Sequence, residues 1–103
     1  DFRGIHSLYG QSKLRDGNPE AARAAFEEEL RRNPLDFEAN LYLGGLYRLD
    51  KDYEKAEGLL RRAQQLRPAS LAVRYQLASL ALGQGDTETA REALEAIVKE
   101  DPD

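Results

Sequence analysis

Catalysis needs convergent polar groups, and this sequence offers few. It holds one histidine, His6, and no cysteine, so thiolate nucleophiles, disulfides and mixed His/Cys zinc sites are all out of reach. A lone imidazole makes no site, because general acid–base work requires a second titratable group placed against a substrate. Neither a glycine-rich phosphate loop nor metal-ligand spacing accompanies it. His6 therefore reads as a packing residue, facing a partner helix. The acidic run Glu27, Glu28 and Glu29 could in principle supply paired carboxylates. Glu27 to Arg31 and Glu28 to Arg32 are spaced i, i+4, however, which on an exposed helix face stabilises by about 0.2–0.5 kcal/mol per pair. The run is expected to be solvated surface. The inventory implies no enzyme, no cofactor and no metal.

The bulk properties narrow the partners. A net charge of −4 and a pI of about 5.1 do not provide the field that gathers a phosphate backbone, so nucleic acid is not expected. No apolar run approaches the roughly 20 residues that span a bilayer, and the N-terminus lacks the basic-then-apolar order of a secretory signal. The absence of cysteine suits cytosol and periplasm equally, so the compartment stays open. One third of the residues are charged (33%) and the mean hydropathy is −0.70, a mixture that suits amphipathic helices exposed on one side.

Those helices are organised by a period. A shift of 34 residues superimposes Pro34, Pro68 and Pro102, then Ala22, Ala56 and Ala90, then Gly10, Gly44 and Ala78, then Tyr9, Leu43 and Leu77. Asn18, Asp52 and Asp86 recur where a second helix of each unit needs an N-cap, and Pro19 fits a first helical position. Asp36 and Ser70 follow Pro34 and Pro68 and cap the next unit. The punctuation predicts helices over roughly 3–15, 19–32, 37–49, 53–66, 71–83 and 87–100. Short links make consecutive helices antiparallel, so the fold class is all-α, a solenoid of three hairpins within one domain over 1–103, with repeats at about 3–36, 37–70 and 71–103. The sequence opens on Asp1 almost flush with a repeat and reads as a segment of a longer protein.

The period, together with Leu43-Gly44, Tyr47, Ala56 and Pro68, resembles the tetratricopeptide repeat over residues 3 to 103. The resemblance implies a right-handed superhelix in which the pairs Gly10/Ala22, Gly44/Ala56 and Ala78/Ala90 are small because the two helices of a hairpin touch there. It also implies that ligands lie along a concave face built from the first helix of each hairpin. Departures from the family pattern stand at His6, Asn40 and Arg74, in place of the large residue usual at the fourth position, at Lys51, which replaces a glycine, and at Glu29, which replaces an alanine.

Leu41, Tyr42 and Leu49 lie off the seam within the second hairpin. Tyr75 aligns with Leu41 and Leu82 with Arg48, with the small Gly45 and Ser79 between them. Leu41, Tyr42, Tyr75 and Leu82 are thus expected to form an apolar, partly aromatic peptide groove, with Gly45 and Ser79 as its floor and Gln11 and Gln76 on its wall. Arg15 and Arg48 would meet acidic groups of the ligand. The subclass of the family that grips a terminal carboxylate does so with Lys, Asn and Arg, and the matching positions here, Ser7, Gln11, Tyr42, Ala72 and Gln76, hold no cation. The competing expectation is a spacer or self-association module inside a longer solenoid. A stripe at Leu94, Ile97 and Val98 is expected to lack a cover and would allow a homodimer through the last helix.

Overall fold

The computed structural model describes residues 4–100; the expected first helical residue, residue 3, and Pro102 and Asp103 fall outside that range. Six helices follow one another: α1 (Ile5–Arg15), α2 (Pro19–Arg32), α3 (Phe37–Leu49), α4 (Tyr53–Leu66), α5 (Leu71–Gly83) and α6 (Thr87–Glu100). From α2 onward the bounds match those read from punctuation, because each start has the expected cap. Asn18 accepts from the Ala21 N–H, Asp36 from Ala39, Asp52 from Lys55, Ser70 from Val73 and Asp86 from Thr89.

The turn inside each hairpin needs a residue in the left-handed region, and Gly17 (φ 78°) and Gly85 (φ 85°) supply it in the first and third. In the second hairpin Lys51 takes the same conformation (φ 65°), which costs a side-chain-bearing residue about 1–2 kcal/mol. The departure seen in the sequence is therefore a strained turn with unchanged architecture.

Within hairpins the helices approach closely at the small residues. A Cβ on Gly10 would come within 2.7 Å of the Phe26 ring, and one on Gly44 within 2.8 Å of the Leu60 side chain. The apolar core, by contrast, lies between hairpins. Phe26, Ala22, Ala39, Leu43 and Leu46 pack the first against the second; Leu60, Ala63, Phe37, Leu41, Val73 and Leu80 pack the second against the third. A hairpin cannot bury its own apolar face, so each is completed by its neighbour. The middle helix α3 contributes to both clusters and is the most enclosed element.

The helices do not approach one another equally. Among the described residues α1 packs on α3 and α3 on α5, whereas α2, α4 and α6 make no close backbone approach to each other. Successive hairpins close on the side of the first helices and splay on the side of the second. The result is an elongated curved stack measuring 41 × 25 × 24 Å.

Candidate functional site

On the inner side is a hollow of about 260 Å³ whose lining comes entirely from α1, α3 and α5. Leu14, Leu46, Leu49 and Ala72 give it apolar walls, and Tyr42, Gly45, Arg48 and Gln76 complete them. Arg48 Nε donates to Gln76 Oε1 at 2.9 Å, so the two polar groups brace each other across the hairpin boundary. Gly45 leaves room for the Gln76 amide, since a Cβ there would stand 3.3 Å from Nε2 and push it aside by a few tenths of an ångström. The Tyr42 ring is half-buried and stacks on Phe26 with centroids 5.5 Å apart and planes 6° apart, which ties the wall to the core beneath.

Five of the residues expected from sequence thus surround one hollow: Leu41, Tyr42, Gly45, Arg48 and Gln76. Leu41 requires a correction. It is 8% exposed and belongs to the core cluster with Val73 and Leu80, so it is not a free contact residue. Leu41 lies off the seam within its own hairpin, but α3 also packs against α5, and that contact takes up Leu41. Tyr75, Ser79, Gln11 and Arg15 lie on α1 and α5 outside the lining, with Tyr75 and Arg15 exposed. Leu82, on α5, lines a different hollow, with Ala90, Leu94 and Val98 of α6. Leu14, Leu46 and Ala72 were missed. Register held a signal for Leu14, which aligns with Arg48 and Leu82 under the 34-residue shift.

The acidic run is divided among three roles. Glu28 accepts from Arg31 and Arg32, and these hydrogen bonds hold its carboxyl at about 2, well below the usual carboxylate range. Glu27 Oε2 accepts from the Tyr47 hydroxyl at 3.0 Å. Glu29 corrects the expectation of solvated surface: it is 2% exposed, and its carboxylate accepts from the backbone N–H groups of Gly4 (3.2 Å) and His6 (3.0 Å). Gly4 has no side chain with which to cap α1, so a residue of α2 caps it from across the hairpin. The half-buried His6 enters this arrangement through its backbone.

The other two departures also have structural roles. Asn40 is fully buried, and its Nδ2 donates to the carbonyls of Pro34 (3.0 Å) and Asp36 (2.8 Å), pinning the link between hairpins. Arg74 forms an ion pair with Glu100 across the third hairpin.

Six helices in three antiparallel pairs, stacked through interfaces between pairs, define a helical-repeat solenoid. Models of the tetratricopeptide repeat match residues 9–70 and 48–103, and the chain belongs to that family. No curated protein matches the sequence. Tetratricopeptide repeats generally mediate protein–protein interaction and are typically non-catalytic scaffolds. Among the described residues no helix is long and apolar enough to cross a membrane.

Proposed function

We propose that the chain, with its three repeats acting as one domain, binds a peptide or protein segment along the face built by α1, α3 and α5. The observation that supports this is the hollow at the α3/α5 boundary, where the Arg48–Gln76 pair stands among Leu14, Leu46 and Leu49. At about 260 Å³ it is smaller than the roughly 300–1,000 Å³ of small-molecule sites, and it suits one side chain of an extended ligand. Leu49 (67% exposed) and Tyr75 (56% exposed) extend apolar surface on the same helices. Arg48 spends one donor on Gln76 and keeps the rest of its guanidinium for a carboxylate. The ligand is thus apolar or aromatic, with acidic groups.

A displayed peptide library selected on the wild type should enrich such sequences, and Arg48→Glu/Tyr75→Glu should weaken the selected peptides by about tenfold or more. Both side chains lie outside the core, so the variant should keep its helical circular dichroism. Unchanged affinity in the folded variant would remove the inner face from consideration.

A second reading, a self-association module, has its own support at the α6 end. Phe26 and Leu60 are each 0% exposed, whereas their register partner Leu94 is only half-buried. Val98 (66% exposed) and Leu82 (55% exposed) border the same hollow of about 860 Å³. A homodimer through α6 would cover this face. Sedimentation equilibrium should then show concentration-dependent association that Val98→Glu abolishes. A strict monomer at millimolar concentration would rule the dimer out.

A further inference from the structure

A larger hollow, of about 490 Å³, opens between α2 and α4, on the side of the second helices where successive hairpins splay apart. Leu30, Leu43, Tyr47 and Leu59 make its apolar floor. Gly58 sits on its rim in the middle of α4, and a Cβ built there would meet nothing within 4 Å. Glycine is the poorest helix former after proline, and neither a tight approach nor a positive φ calls for it at this position. Its one local effect is to keep the rim low. Three cations border the hollow in a protein of net charge −4: Lys55, 3.9 Å from Asp52, Arg62, which donates to the Pro34 carbonyl, and Arg31, which is held by Glu28; the carboxylate of Glu27 receives the Tyr47 hydroxyl.

The repeat supplies an internal control. Under the 34-residue shift Leu30, Tyr47, Gly58 and Arg62 become Gln64, Ala81, Glu92 and Ala96. The hollow beside α4 in the next hairpin boundary is about 310 Å³ and includes Arg61, Gln64 and Asp86 in its lining. The next hollow has apolar and basic lining of its own in Leu77, Leu80, Arg61 and Arg74, so what is particular to the first boundary is the low rim at Gly58, the Leu30 and Tyr47 side chains and Arg62.

We propose that the hollow between α2 and α4 is a second docking site, for an acidic peptide segment that lays one bulky apolar side chain over Leu59 beside Gly58. Its carboxylates meet Lys55 and Arg62. The site is independent of the inner groove, since the two share no lining residue. An electrostatic rim around an apolar floor also makes the affinity fall as salt rises.

The test uses the whole chain and a displayed dodecapeptide library, with the enriched peptides resynthesised and titrated against three variants. Sequences with Asp or Glu flanking a large apolar residue are expected, and Lys55→Glu/Arg62→Glu should weaken them about tenfold. Gly58→Leu should weaken them as well while leaving the melting temperature equal to or above that of the wild type, a combination that a merely structural role of Gly58 would not produce. Arg48→Glu/Tyr75→Glu should leave these peptides unaffected. Absence of acidic–apolar enrichment, or peptides indifferent to Gly58→Leu, would overturn the proposal. Peptides lost only with Arg48→Glu/Tyr75→Glu would overturn it too, while supporting the inner groove.

Discussion

Phe26→Ala is expected to remove about 3–5 kcal/mol of stability, enough to unfold a substantial part of a small domain. The ring is fully buried, stacks on Tyr42 of the second hairpin and presses against Gly10 of the first. It thus fills the space where α1, α2 and α3 meet. Collapse into the vacated volume is the usual way such a loss is softened, but Gly10 has no side chain to move in, which places the effect in the upper part of the range. The loss should also be local. Cohesion in a solenoid passes between neighbouring hairpins, and the cluster around Leu60 shares no fully buried residue with the one around Phe26, the half-buried Tyr47 alone packing against both. Hydrogen exchange should show α1 and α2 losing protection while α4 and α5 keep theirs, and thermal melting should broaden or split. Simultaneous loss in all six helices would mean that α3, which serves both clusters, couples them more tightly than a nearest-neighbour stack allows.

The same partition accounts for what the sequence disclosed of the fold. Helix bounds were legible because the caps are local: Asn18, Asp36, Asp52, Ser70 and Asp86 each accept from a backbone N–H three residues on, an interaction contained within its own turn. Small residues in register, Gly10 and Gly44 above all, revealed the seams within hairpins. Contacts between hairpins were less accessible, since they depend on which flank of a helix the next unit covers. Leu41 shows this, as its burial follows from the approach of α5 to α3. The candidate groove was accordingly half legible: Tyr42, Gly45, Arg48 and Gln76 do meet, while the exposed Tyr75 stands outside the hollow and Leu82 lines another. The hollow between α2 and α4 left a local trace, Gly58 in a helix interior, but its meaning depends on two helices whose backbones do not approach each other.

Glu29→Ala should destabilise the chain by about 1–3 kcal/mol, although alanine is the residue the repeat pattern favours there and Ala63 fills the equivalent place in the next hairpin without strain. Two effects compete. Burying a carboxylate costs solvation, which by itself would make alanine the better choice. Against this, Glu29 receives two charge-assisted hydrogen bonds at the positive end of α1, and its removal leaves the Gly4 and His6 N–H groups without their side-chain acceptor. The second effect prevails because α1 has no capping side chain of its own. Glu29→Gln distinguishes the parts: one carbonyl oxygen remains, but the amide NH2 is turned toward a backbone donor, so the loss should lie between wild type and Glu29→Ala. Denaturant titration gives the magnitudes, and exchange at the amides of the first turn of α1 gives the location. A Glu29→Ala protein as stable as wild type would show that desolvation cancels the cap. A loss confined to α1 would loosen the helix that brings Leu14 to the inner hollow, so ligand affinity on that face should fall although Glu29 is not part of its lining.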